Sequence, residues 1–188
     1  AVNIHRNPLC GRNFEYYSED GVLAGNMAAN AVIGAEKKGV YAYVKHFALN
    51  DQETNRCNML CTYSTEQAIR EIYLKPFEIA VKKGGAKAVM SSFNYIGTVW
   101  AGGTSALLQT VLRNEWGFKG FVLTDYFGVY GYMNSDQAIR NGTDCMLVAY
   151  DTETNHVKNT TSATSVKAMR QACKDRILDE EQIHGLKT

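Results

Sequence analysis

No stretch of this chain is apolar for long enough to cross a bilayer. Its longest apolar runs, such as residues 120–124 and 145–150, fall far short of the about 20 residues a membrane helix needs. No charge of one sign predominates either. The 20 lysines and arginines stand against 19 aspartates and glutamates, a net charge of +1. Nothing electrostatic therefore favours nucleic acid or an anionic membrane as partner. Paired-knuckle cysteine spacing is missing. The 5 cysteines (Cys10, Cys57, Cys61, Cys145, Cys173) are odd in number, and none of the 4 histidines lies near the Cys57/Cys61 pair in sequence. Ordinary thiols are expected, with no metal and no cofactor; reduced thiols fit a cytoplasmic protein, and a secreted one stays open. A signal-like apolar opening is also lacking, and residue 1 is Ala and not Met. The expectation is a piece or processed product of something longer.

What is present is an ordinary globular composition, 188 residues with 45% hydrophobic and 21% charged, enough for one sizeable core and one compact unit. Five short β-type runs stand at residues 1–4, 40–47, 86–93, 120–126 and 144–149, each followed by polar or glycine-containing sequence and then a helical stretch. Helices are predicted over 27–38, 65–83, 104–116 and 165–178. The second is the strongest, with Ile69, Ile72, Phe77, Ile79 and Ala80 forming an apolar stripe. Ser64 reads as its N-cap with Gln67 three residues on, Gly84 and Gly85 close it, and Pro76 inside it predicts a kink or break.

Strand and helix alternating in this way predict an α/β fold of parallel βα units, with strands apolar on both faces. Two architectures fit, an open doubly wound sheet or part of a (β/α)8 barrel. A complete barrel takes about 250 residues, so this chain holds about five of the eight units. Periodicity alone leaves that choice open.

In either architecture chemistry collects where strands end, because the loops there converge. The first run leads to Arg6 and Arg12, the second ends in Lys45 and His46 followed by Asn50, Asp51, Gln52 and Glu53, the third in Ser91, Ser92, Phe93 and Asn94, and the fourth in Thr124, Asp125 and Tyr126. Each has an ordinary structural use. Asp125 can cap the next helix, Arg12 can tie a loop to Glu15 or Glu19, and His46 can sit in the core on a carbonyl. Together they describe a polar cup with a cationic wall, and burying such charges is costly unless they pair or serve a ligand.

Five ordered segments resemble glycoside hydrolase family 3. They are Asn3-Ile4-His5-Arg6-Asn7-Pro8 through Gly11-Arg12-Asn13-Phe14-Glu15; Lys45-His46-Phe47-Ala48-Leu49-Asn50-Asp51-Gln52-Glu53-Thr54-Asn55-Arg56; Arg70-Glu71-Ile72-Tyr73-Leu74-Lys75-Pro76-Phe77-Glu78; Val89-Met90-Ser91-Ser92-Phe93-Asn94; and Leu112-Arg113-Asn114-Glu115-Trp116-Gly117-Phe118-Lys119-Gly120 running on to Leu123-Thr124-Asp125-Tyr126. The resemblance implies part of an N-terminal TIM-type (β/α)8 barrel domain spanning residues 1–188, with upstream strands and a C-terminal domain outside the chain. It implies a retaining β-glycosidase of the β-glucosidase-like branch, acting on β-linked glucosides or oligosaccharides. Asp125 would be the catalytic nucleophile. Arg12, Lys45 and His46 would hold sugar hydroxyls, with Phe93 and Tyr126 completing the substrate-binding set.

Phe93 stands where many members carry Tyr, removing one hydroxyl beside the nucleophile, and Tyr126 replaces the usual Trp. The residues after Asn94 depart from the family's usual loop, where Trp100 reads as either a sugar-stacking or a packed aromatic. The Gly-His-Gly loop of the N-acetylglucosaminidase branch is absent after Lys45-His46, so the acid/base carboxylate is expected outside this chain. Asp51 and Glu53 are the only local candidates, and the 188 residues alone are expected to turn over little. Unpaired sheet edges lead to an expectation of self-association. Two other readings compete: a non-catalytic carbohydrate-binding barrel piece, and a Schiff-base aldolase or lyase barrel using Lys45.

Overall fold

A computed structural model describes residues 1–126 and 132–147, together with residues 171 and 174. Its centre is a parallel sheet, β1 (Tyr43–Phe47), β3 (Ala88–Ser91) and β6 (Phe121–Leu123), in the spatial order β1-β3-β6. Tyr43 pairs with Ala88 and Ala88 with Phe121, so the three strands start level. Residues 1–4, expected as a strand, run beside β1 without strand geometry; Val2 N–H donates to the Lys45 carbonyl at 2.8 Å. On the far side Cys145 makes an isolated parallel bridge to Leu123, marking the fifth position; residues 148 and 149 of the strand expected over 144–149 lie outside the described residues. Neighbours in this sheet follow one another along the chain, each parallel pair joined by a crossover that contains a helix.

Helix α1 (Gly21–Glu36) begins six residues before the helix predicted from the sequence. Asp20 caps it, its carboxylate accepting from the N–H groups of Val22 and Leu23. Its inner face is built of Ala24, Gly25, Ala28, Ala29 and Val32. Side chains this small leave little large-apolar periodicity to read, yet they permit a close approach to α3 (Lys75–Lys82). A Cβ at Gly25 would come within 2.8 Å of Ile79, and one at Gly84 within 2.8 Å of the Ala29 Cα.

The single helix predicted over 65–83 is three pieces: α2 (Glu66–Ala68), a π-helical stretch Ile69–Tyr73, and α3. Thr65 and not Ser64 caps it, accepting from Ala68 N–H at 3.2 Å. The break falls at Leu74 because Pro76 has no N–H to continue the ladder, and Pro is accommodated in the first turn of the new helix. The helix predicted over 104–116 is observed as Ala106–Glu115, π-wound, and Gly117 at φ +70 ends it. A short α4 (Ser135–Arg140) was not anticipated, and the helix predicted over 165–178 lies outside the described residues.

The core lies between the sheet and these helices. Val44, Phe47, Val89 and Val122 meet Ala28, Phe77, Ala80, Leu108 and Leu112, with the Phe47 and Phe77 rings 5.1 Å apart. Burying one such large side chain contributes about 1.5–3 kcal/mol. On the opposite face Tyr43 and Phe121 meet edge-on and stay partly exposed. Beyond the strand ends, β2 (Cys61–Thr62) and the hairpin β4 (Tyr95–Ile96)–β5 (Val99–Trp100) form a second small sheet over Phe93, Trp100 and Met133. Among the described residues no helix is long and apolar enough to cross a membrane.

Candidate active site

The ladder continues past the strands and carries the site residues. Ser92 N–H donates to the Phe47 carbonyl at 2.9 Å, and Asp125 N–H to the Ser91 carbonyl at 3.1 Å. These bonds place the residues following β1, β3 and β6 side by side at one end of the sheet. The peptide bonds Lys45–His46 and Phe47–Ala48 are cis. The long loop before α1 folds back over the same end, held by Ile4 N–H on Asp51 Oδ1 at 2.7 Å and by the Tyr16 hydroxyl on the Asn50 carbonyl at 3.3 Å.

Asp125 is the centre of what results. Its Oδ1 accepts from Tyr126 N–H at 2.7 Å, which turns the other oxygen away from the backbone. Oδ2 is buried and makes no hydrogen bond with any described residue, 3.5 Å from Nε2 of His46. Burial raises the carboxyl above its ordinary value, while the Tyr126 N–H and the charges of Arg56, Arg12 and Lys45 pull it back. An oxygen kept dry, unpaired and facing cations is suited to a nucleophile.

His46 is 1% exposed, and burial, then the charges of Arg12, Lys45 and Arg56, push its pKa down to about 2. The ring is neutral at physiological pH, so its approach to Asp125 is not an ion pair. Arg12 Nη1 lies 3.1 Å from Nε2. Arginine only donates, so Nε2 accepts and the ring proton sits on Nδ1, which is buried without a partner among the described residues. Arg12 also hydrogen-bonds Glu15 through Nε, and Lys45 Nζ lies 3.6 Å from the other Glu15 oxygen. Burial works to raise the Glu15 carboxyl, but the Arg12 hydrogen bond and the charges of Arg12 and Lys45 take it below the ordinary value. One carboxylate therefore arrays two cations on the same wall. The ordinary use of Arg12, tying its loop to Glu15, coexists with its reach into the site.

Arg12, Lys45, His46 and Asp125 are thus brought together as a cup. Phe93 lies beneath it, 2% exposed, with the Arg56 guanidinium 4.9 Å above its ring. Tyr126 is 41% exposed at the rim. Trp100 is packed, 1% exposed with its indole N–H on the Ser92 carbonyl at 2.8 Å, so the stacking alternative falls away. Asp51 is committed to Ile4, and burial lifts its pKa to about 6. Glu53 pairs with Arg56 at 3.1 Å, and burial raises its carboxyl too. Arg56 and Glu15 were not singled out as site residues from the sequence. Both lie inside motif segments, Arg56 at the end of the one opening at Lys45 and Glu15 three residues after Arg12, and that spacing was the available signal. Cys10, Cys57, Cys61 and Cys145 are free thiols, and Cys173 lies outside the described residues. No cluster of metal-ligating side chains occurs among the described residues.

The glycosyl hydrolase family 3 N terminal domain profile matches residues 1–185. A β-glucosidase of Ruminococcus albus is 48% identical over 127 residues, 68% of this chain and 13% of that protein. β-Glucosidase B of Emericella nidulans is 50% identical over 128 residues, 68% of this chain and 15% of that protein. Among solved structures, β-glucosidase 3B from Thermotoga neapolitana in complex with glycerol is 40% identical with a TM-score of 0.77, covering 94% of this chain and 26% of that one. Its complex with glucose superposes with a TM-score of 0.73 over 99% of this chain and 24% of that one. The chain therefore spans well under a third of the length of these relatives. Between an open sheet and a barrel, the match decides for the barrel: the parallel βα units are part of a TIM-type (β/α)8 barrel.

Proposed function

This chain belongs to glycosyl hydrolase family 3, and from that premise we propose that the whole enzyme carrying it hydrolyses β-linked glucosides with retention, using Asp125 as nucleophile. The observation that carries the reading is Asp125 Oδ2, buried at the end of β6 and without a hydrogen bond among the described residues. In the first step this oxygen attacks the anomeric carbon, an ester bond forms, and the bond to the leaving oxygen breaks as an acid protonates it. In the second, water attacks the same carbon, the ester bond breaks, and the water's proton passes to the conjugate base of that acid. Arg12 and Lys45 are the donors for sugar hydroxyls, with the His46 ring in the same wall, and the charges of Arg56, Arg12 and Lys45 favour the ionised form of Asp125 that attack requires. Neither Asp51 nor Glu53 serves as acid/base. One Asp51 oxygen holds the Ile4 N–H and one Glu53 oxygen pairs with Arg56, which supports an acid/base carboxyl from outside these residues. General acid catalysis is worth about 10²–10⁴-fold, so the chain alone turns over little.

Pairing of Lys45 with Glu15 speaks against Schiff-base chemistry, which needs a desolvated lysine free of a carboxylate partner. The β-glucosidase names of the relatives support a glucoside as substrate. The test is to incubate the whole enzyme with an activated 2-deoxy-2-fluoro-β-glucoside and map the adduct by peptide mass. The expected result is a glycosyl ester on the peptide containing Asp125, with Asp125→Ala lowering kcat by about 10⁴-fold or more. Hydrolysis of the unfluorinated analogue with no adduct at Asp125 would overturn the assignment, and no hydrolysis at all would favour the non-catalytic alternative.

A further inference from the structure

His46 is held by its backbone as well as by its ring. Asn3 is 1% exposed, and its side chain meets both polar groups of the His46 main chain: Nδ2 donates to the His46 carbonyl at 3.0 Å and Oδ1 accepts from His46 N–H at 2.8 Å. Residues 1–4 run beside β1, with Val2 N–H on the Lys45 carbonyl at 2.8 Å and Ile4 N–H on Asp51 at 2.7 Å. At His46 a side-chain amide completes the ladder that a neighbouring strand would supply. A carboxylate could accept but not donate here, and an aliphatic side chain could do neither.

We propose that Asn3 is a positioning residue for the sugar site, acting through His46 by saturating both of its backbone hydrogen-bonding groups and so fixing where its imidazole points. The inference rests on the assignment of His46 to the sugar site made above. Two further observations support it. Among the described residues the ring itself is anchored by one hydrogen bond, from Arg12 to Nε2, and its Nδ1 is buried with no partner. A ring so lightly tethered owes its direction to its main chain. Misplacing a reacting or binding group by about 1 Å costs up to about 10²-fold in rate.

A purely structural Asn3 would tie residues 1–4 to β1 and nothing more, and a double-mutant cycle separates the two roles. In the whole enzyme, kcat/KM on an aryl β-glucoside is measured for wild type, Asn3→Ala, His46→Ala and the double variant. Asn3→Ala is expected to lower kcat/KM by about 10²-fold, and to cost less than about 3-fold more once His46 is Ala, because its effect runs through the missing ring. Independent, multiplying losses would overturn the proposal. If Asn3→Ala fails to fold, Asn3→Asp, which keeps the shape and the acceptor but not the amide donor, enters the same cycle. Alongside, nitrogen NMR of the His46 imidazole reports the tautomer: Nδ1–H in wild type, shifting to a mixture in the Asn3 variant. An unchanged imidazole signal overturns the proposal whether or not the enzyme hydrolyses glucosides. Absence of any hydrolysis abolished by Asp125→Ala would instead overturn the functional reading and leave the NMR result to decide the role of Asn3.

Discussion

Asp51→Asn should make the protein more stable at neutral pH, because Asp51 is a charge buried for the sake of a hydrogen bond that a neutral amide can also accept. Its Oδ1 takes the Ile4 N–H at 2.7 Å, tying residues 1–4 to the loop after β1. Burial lifts its pKa from 3.8 to about 6, against the opposing pull of that N–H and of Arg6. A carboxyl whose folded value exceeds its unfolded value binds its proton more tightly in the folded chain. The stability it contributes is complete below about pH 4 and is lost as pH rises through about 6. At 1.36 kcal/mol per unit, the shift of about two units amounts to about 3 kcal/mol lost by pH 7.5, and about 1 kcal/mol already lost at pH 4.5. Asparagine carries no proton to lose, and residue 51 lines an open cavity of about 580 Å³.

The stability of Asp51→Asn relative to wild type should therefore rise by about 2 kcal/mol between pH 4.5 and pH 7.5, whatever its fixed offset. Urea unfolding at the two pH values measures this directly, and melting should report it as a relative gain of about 4–8 °C. A stability difference that is the same at both pH values would refute the reasoning, as it would mean that Asp51 stays ionised in the fold without cost. A variant that weakens further as pH rises would refute it more strongly.

Two other outcomes follow from the site and the sheet. Removing the Arg56 charge, as Arg56→Gln, should raise the Asp125 carboxyl still further and move the acid limb of kcat/KM to higher pH, with a greater loss at pH 5 than at pH 7; an unmoved limb would show that Arg56 does not act on the nucleophile. His46, at about 2, should add no limb in the measurable range. Gly120→Ala should destabilise by about 1–3 kcal/mol, since a Cβ there overlaps the Lys87 carbonyl that accepts from Phe121 N–H at 2.9 Å and aligns β6 with β3; denaturation showing no loss would mean that the strands can separate locally at no cost.

Much of this was legible because it depends on local pattern. Apolar runs ending in polar residues marked the strand positions, Pro76 marked a helix break, and the order of motif segments marked the cup of Arg12, Lys45, His46 and Asp125. The start of α1 escaped because its buried face is Ala and Gly, whose small side chains carry little periodicity. Their use is visible only when α3 lies against them with Ile79 over Gly25. Trp100 could be read as platform or core until its indole N–H was seen on the Ser92 carbonyl. Asp51 and Glu53 looked alike in sequence; one is held by a backbone N–H 47 residues away and the other by a neighbouring arginine.

By itself the sequence determined the parallel βα order and the residue types at the strand ends, because both follow from short-range spacing along the chain, and the resemblance of its motif segments pointed to the family. The tertiary structure alone decided which of those residues meet, that Asp125 keeps one oxygen dry and without a hydrogen bond from any described residue, that His46 is neutral with its proton on Nδ1, and that Asn3 grips His46 from 43 residues away. Desolvation and long-range hydrogen bonding depend on what packs around a group, and that is settled only when distant segments close over it.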